Sequence, residues 1–328
     1  MKPLSVFEKL QNHKFNDSCC FLCGSKLHSK NHTEEHVFPR WLQNMFNLWD
    51  QKISLLNDTL IPYRQLTIPC CLTCNNKFLK PIEDKIFCAV KLGYDEFVKL
   101  DKLTIFYWLG KIYFGLMYKE LFLSYNRKSK DKFNTITTKQ YLEIFFAHHL
   151  FLQGIRGQHK FENFFPASIW ILKTQKPVKI ENQWDFFDGH NTMFISCRMA
   201  DIGIISVLQD VQITENYQDF SQAFSSISLH PIQFREIVAK AYYMAMLIDR
   251  TPKFINIEQN NRIHTTLLPI MGLSLKPILK EGNNDEYAIV LSEITSIPLS
   301  EINPEKGAVW TWLYNSENDP IFIDVKKN

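Results

Sequence analysis

The sequence predicts an α+β protein in three parts: a cysteine-stapled N-terminal module over 1–93, a helical segment over 94–159 and an α+β domain over 160–328. Three observations carry that reading. Two C-x-x-C pairs, made by Cys20 with Cys23 and by Cys71 with Cys74, bracket the stretch Thr33-Glu34-Glu35-His36-Val37-Phe38-Pro39-Arg40-Trp41. Apolar residues recur at helical spacing through the middle of the chain, as in Trp108, Leu109, Tyr113, Leu116 and Met117. Beyond about residue 160, short β-rich runs alternate with turn signals. A chain of 328 residues is long enough for two or three domains.

Taken in order, residues 1–14 read as a short helix or arm, and the N-terminus lacks the apolar stretch of a signal peptide. Gly24 follows the second cysteine of its pair, where a metal-binding knuckle turns its backbone amides toward the sulfurs. Cys19 and Cys70 each precede a pair, and the C-x-x-C spacing favours Cys20 and Cys71 as the chelating members. Glu34 to Phe38 predicts a strand that Pro39 ends. Trp41, Leu42, Met45, Phe46 and Trp49 predict an amphipathic helix, followed by a loop over 51–60 and a second strand from Pro62 to Ile68. From Asn75, the residues Phe78, Leu79, Ile82, Ile86, Phe87 and Val90 mark one face of a helix that ends near Gly93, with Pro81 expected to kink or split it.

Farther on, Tyr125 to Lys132 reads as a polar, basic connector and Tyr141 to Ile155 as a second apolar helix. Ser168 to Leu172, Thr192 to Ser196 and Gly203 to Val207 predict strands. Pro231 to Asp249 predicts a helix, with the proline in its first turn. Tyr287 to Leu291 and Ile321 to Val325 look strand-like.

Composition sets broad bounds. With 45% apolar residues, 26 Phe, 12 Tyr and 7 Trp there is material for large aromatic cores, and 11 Gly with 14 Pro argue against a low-complexity chain. A net charge of +3 neither demands nor excludes nucleic acid, since a nuclease needs only a local positive groove. The most apolar stretch, Ile105 to Leu123, is broken by Lys111, Lys119 and Glu120, so a buried helix is expected and no membrane partner. A cytoplasmic location is expected, where clustered cysteines bind metal more often than they form disulfides.

The chemistry starts from the cysteines. Two C-x-x-C pairs can supply four thiolates to one tetrahedral zinc. Closing that site would bring Glu35 and His36 close to Asn75 and Asn76. A carboxylate, an imidazole and an amide oxygen then meet, which is enough to hold a hard divalent cation beside a general base. Cys88 and Cys197 are expected to be buried, unpaired thiols, His148 and His149 structural, and His28 and His32 at the surface.

Cysteine pairs around Glu-His-x-x-Pro, closing on Cys-x-x-Cys-Asn, resemble the HNH endonucleases with the ββα-metal fold; the likeness covers about residues 15–90. It implies that Cys20, Cys23, Cys71 and Cys74 are structural zinc ligands. It implies also that Glu35 and Asn75 bind a catalytic Mg²⁺ or Mn²⁺ and that His36 activates water. Asn76 and Glu83 are alternative ligands, and a plain helix cap is the competing reading of Asn75. Arg40 and Arg64 are candidate phosphate contacts, with surface charge an equal reading. An asparagine usual in the family's second strand is replaced here by Gln65, Leu66 or Thr67, so Gln65 or Thr67 would have to brace the histidine loop.

The implied activity is phosphodiester hydrolysis of nucleic acid, DNA ahead of RNA, leaving 5′-phosphate and 3′-hydroxyl ends. A regulatory partner protein or a homo-oligomer fits that activity, and analogy suggests a role in bacterial anti-phage defence. The rival is a non-catalytic zinc-ribbon adaptor that binds nucleic acid or protein.

Overall fold

The computed structural model of the chain describes residues 5–124, 138–270 and 276–325. The basic connector expected from Tyr125 to Lys132 lies outside them. The sequence texture changes near 93 and 159, but the chain packs into two compact units. One gathers residues 1–91, 100–163 and 254–266; the other gathers 92–99, 164–253 and 267–328. The helical middle therefore shares a unit with the cysteine module.

In the first unit, α1 (Val6–Gln11) is closed by a capping box of Ser5 and Glu8. Strand β1 (His32–His36) pairs antiparallel with β4 (Thr67–Cys71), in a register that sets His36 opposite Thr67 and His32 opposite Cys71. Between them come α2 (Arg40–Met45) and a small hairpin of β2 (Lys52–Ser54) with β3 (Leu60–Pro62). The hairpin corrects the expected loop over 51–60: Asn57 and Asp58 sit at its tip, and Asp58 takes the left-handed turn conformation that Asp tolerates.

Helix α3 (Lys80–Leu92) continues directly from a π-wound segment, Cys74–Leu79. Pro81 does not interrupt the winding, which changes from π to α one residue before it. The wider π winding before the proline takes up the place of its missing N–H. Helices α4 (Tyr94–Phe97), α5 (Lys102–Glu120) and α6 (Lys139–Leu152) follow; α4 belongs to the second unit. Asp101 caps α5 by accepting from the Thr104 amide at 2.8 Å. Almost every residue of α5 is buried, as expected for a helix that is apolar all round. It packs on α6 through stacked Phe114 and Phe145, ring centroids 4.6 Å apart. No helix among the described residues is long and apolar enough to cross a membrane. Strand β5 (His159–Glu162) completes this unit by pairing in parallel with β11 (Arg262–Leu267) of the β10–β11 hairpin, in which β10 spans Phe254–Gln259.

Buried neutral histidines make this unit acid-sensitive. His148 Nε2 lies 2.9 Å from the Gly110 carbonyl and His159 Nε2 2.7 Å from Thr265 Oγ1. Burial lowers His148 to about 4 and His159 to about 3. An unfolded imidazole takes up its proton near pH 6.5, so stability is full above that pH and is lost as the pH falls toward the native values. His148→Asn should flatten the fall of the unfolding free energy, measured by urea denaturation, between pH 6.5 and 4.5 by on the order of 2 kcal/mol. An unchanged slope in the variant would show that His148 does not carry it.

In the second unit, β6 (Ser168–Lys173), β7 (Trp184–Gly189), β8 (Phe194–Met199) and β9 (Ile202–Val207) form an antiparallel sheet in the order β6-β9-β8-β7. Short helices α7 (Ile213–Tyr217) and α8 (Phe220–Ala223) precede α9 (Pro231–Met246). Helix α9 buries Phe234, Ile237, Val238 and Ala241 against Trp170, Phe194 and Ile205 of the sheet. Its other flank holds α10 (Asn284–Thr295), with α11 (Leu299–Ile302) beyond.

Two expectations change in this unit, and one strand is added. Tyr287 to Leu291 is helical and not a strand: Asn283 caps α10, and Ala288 and Leu291 fall on one helical face against Ala239 and Tyr243 of α9. Ile321 to Val325 forms no strand; its backbone is held by the Leu313 carbonyl and by the side chains of Gln175 and Gln233. Strand β7 carried no sequence signal.

Candidate metal centre and active site

The first cysteine pair sits in a knuckle. Gly24, at φ +71°, donates its amide to the Cys20 carbonyl at 2.9 Å, and the Ser25 amide reaches Cys23 Sγ at 3.5 Å. The second pair lies where β4 runs into the helix, and the Cys74 amide points at Cys71 Sγ at 3.4 Å. The Phe21 amide bonds the Pro69 carbonyl at 2.8 Å and ties the knuckle to β4.

The Sγ atoms of Cys20, Cys23, Cys71 and Cys74 all lie within 4.8 Å of one another, a set that could hold a metal ion. Of the other two cysteines of the doublets, Cys70 is buried beside Cys20 and donates to the Cys71 carbonyl at 3.5 Å, and Cys19 is half-exposed beside Ser18; neither belongs to the four-sulfur set. Hydrogen bonds from Cys23, Cys70 and Cys74 hold the Cys20 thiol far below the ordinary range, while Cys20 and Cys23 push Cys74 far above it. One thiolate shared among several thiols is a poor resting arrangement, and a divalent cation that deprotonates all four ligands suits it. Helix α6 buttresses the knuckle: His149 Nε2 meets the Phe21 carbonyl at 2.9 Å, and Gln153 Nε2 donates to the Leu22 carbonyl at 3.0 Å. His148 and His149 are thus structural. Cys197 is buried, but Cys88 is exposed, because it lies on the outer face of α3 away from Ile86, Ala89 and Val90.

Glu35, His36, Arg40, Asn75 and Glu83 line one open groove of about 760 Å³. Alternation along β1 puts Thr33 and Glu35 on one face and His36 on the other. His36 leaves the strand end half-buried, with Trp49 near-parallel at a centroid distance of 6.1 Å. Burial, then Arg40 and Lys111, lowers its pKa below the ordinary histidine value. Asn75 is not the helix cap; its Nδ2 donates to Thr33 Oγ1 at 3.2 Å.

Asn76 is exposed and does not line the groove, and Asn75 takes its place opposite Glu83. The π turn, with five residues per hydrogen bond, shifts the helix face by about one position. Thr67 Oγ1 donates to Glu34 Oε2 at 2.9 Å, whereas Gln65 is exposed; neither bonds the His36 ring. Arg64 is paired with Asp50 and is not among the residues lining the groove.

Lys111 is the residue that sequence reading missed. Its Nζ lies 2.8 Å from Glu35 Oε1, 2.8 Å from Glu83 Oε1, 2.9 Å from the His36 carbonyl and 3.2 Å from the Val37 carbonyl. Its side chain is 2% exposed. Burial alone would lower its pKa, yet the two carboxylates hold it above the ordinary lysine range. Glu83 is pushed up to about 7 by burial, with Lys111 pulling the other way. Gly115, one turn along α5, lets the helix approach: a Cβ there would meet Val37 Cγ2 at 2.6 Å. A signal was present, since a lysine in an apolar helix must find carboxylates. Among the described residues, only the cysteine set brings three or more Cys, His, Asp or Glu ligand atoms close enough to share an ion.

No family model matches the chain, and no curated protein or solved structure matches it either.

Proposed function

We propose that the N-terminal unit is a metal-dependent HNH-type endonuclease acting on nucleic acid, with DNA preferred to RNA. The observation that supports this reading is the convergence of Glu35, His36, Arg40 and Asn75 on one groove beside a four-sulfur cluster. In the proposal zinc occupies the cluster and fixes the helix carrying Asn75 against the strand carrying Glu35. Glu35 and Asn75 would hold Mg²⁺ or Mn²⁺, which would supply charge stabilisation at the phosphate and the leaving oxygen.

His36 takes the proton of the attacking water, and its lowered pKa keeps the ring neutral and basic at pH 7. Exposed Arg40 meets the phosphate backbone at the groove edge. Lys111 donates to Glu35 Oε1 at 2.8 Å and fixes the carboxylate at the groove.

Plasmid cleavage in Mg²⁺ and Mn²⁺ tests the assignment. His36→Ala should lose on the order of 100-fold or more in rate. Equal rates in variant and wild type would remove His36 as the base. One observation favours a second reading, the non-catalytic zinc-ribbon adaptor. The Lys111 ammonium already neutralises Glu35 and Glu83, so part of the charge a cation needs is spent. Absence of cleavage by the wild type in every divalent metal, with retained binding of DNA or RNA, would select the adaptor.

A further inference from the structure

The second unit holds a cavity of about 680 Å³ at the N-terminus of α9, lined by Lys179, Glu181, Trp184, Arg198, His230 and Arg235. Its volume is that of a small-molecule site. Arg198, on β8, is the unusual member. It is 3% exposed, yet its Nε and Nη1 have no hydrogen-bond partner among the described residues; only Nη2 is used, on the Asn182 carbonyl at 2.8 Å. A buried guanidinium with idle donors is costly unless an acceptor arrives.

The nearest carboxylate offsets part of this charge but makes no hydrogen bond to it among the described residues. Asp185 faces Arg198 across the β7–β8 pair, but it is engaged by Arg235 through Nε at 2.5 Å and Nη2 at 3.2 Å. His230 caps α9 by accepting the Ile232 amide on Nδ1 at 3.2 Å, so in its neutral form its proton sits on Nε2 and is available to donate. The positive end of the 16-residue α9 adds to the same field.

We propose that this cavity binds a phosphate-bearing small molecule with a flat ring, of the mononucleotide class, its phosphate on Arg198 and Arg235 and its ring against Trp184. Phosphate matches the several convergent cationic donors. Trp184, beside the apolar surfaces of Val178 and Ile232, gives the ring its place. The proposal is independent of the nuclease reading and concerns other residues.

Titration calorimetry on the full chain, with inorganic phosphate and with AMP, tests it. Both should bind, AMP about tenfold or more tightly, because stacking adds to the phosphate contacts. Arg198→Met should weaken AMP about tenfold or more through loss of a charge-assisted donor. Should that variant fail to fold, Arg235→Gln gives the second test: it releases Asp185 to pair with Arg198 and should weaken AMP comparably. Glu181→Gln, at an exposed acidic position of the rim, should tighten both ligands. No binding of either probe at millimolar concentration overturns the site, as does wild-type affinity in Arg235→Gln. Equal affinity for phosphate and AMP overturns the assignment of a ringed ligand.

Discussion

Cys74→Ser is expected to unfold the N-terminal unit and abolish its metal content. On the proposed zinc reading, the ion is bound by four sulfurs that come from two segments some fifty residues apart in the chain. Without it, the knuckle keeps the Phe21 amide bond to the Pro69 carbonyl and the side-chain bonds from His149 and Gln153, and loses its link to the Cys71 and Cys74 sulfurs. Metal binding in such modules is coupled to folding, and loss of a metal belongs to the class of changes that cost more than about 4 kcal/mol.

For a unit of this size, that corresponds to a fall of about 10 °C or more in its melting temperature. The second unit has its own sheet-and-helix core and should melt as before. Thermal denaturation, with bound zinc measured by a colorimetric chelator, reads both effects. A variant that melts within about 2 °C of wild type would remove the structural role from the cluster.

The second large effect is expected at Lys111. Lys111→Met removes the cation bonded to buried Glu35 and part-buried Glu83, and frees the carbonyls of His36 and Val37. Breaking a buried pair from one side costs about 3–5 kcal/mol, because the partner charge stays behind. The deficit should depend on pH. Glu83 is already raised to about 7 with Lys111 present, and removing the ammonium raises it further.

An acid whose native pKa is raised loses stability as the pH climbs from its unfolded value through the native one. The part of the difference carried by Glu83 should therefore be absent below about pH 7, where that carboxyl is protonated in both folded proteins, and should grow as the pH rises above 7. The contributions of His148 and His159 are common to both proteins and cancel, whereas His36, which Lys111 helps to lower, rises toward its ordinary value in the variant. Urea denaturation across that range measures the difference. A deficit that is constant with pH would mean that Lys111 acts through packing alone. A larger stabilisation of Lys111→Met than of wild type by Mn²⁺ would locate a cation at the vacated carboxylates, without recourse to activity.

Much of this site was legible beforehand, for identifiable reasons. C-x-x-C spacing is a local property, and Cys20, Cys23, Cys71 and Cys74 are the four sulfurs that cluster. Strands β6 and β9 follow from short β-rich runs between turn signals, and helix α9 from a period-3.6 pattern. Misreadings occurred where local pattern and packing disagree. Tyr287 to Leu291 is short and β-prone, but the cap at Asn283 and the flank of α9 make it helical. The face carrying Asn75 could not be assigned against Asn76, since nothing local announces that the helix begins with π winding.

By itself the sequence determined which side chains could meet: cysteine pairs, an acidic residue beside a histidine, and an asparagine after the last cysteine lie at spacings set by the chain. Tertiary structure decided what else joins them. Lys111 is 76 residues from Glu35 and Arg198 is 13 from Asp185, separations over which spacing carries no contact information. Burial then fixes their chemistry, because a charge removed from water is governed by the few groups that fold around it.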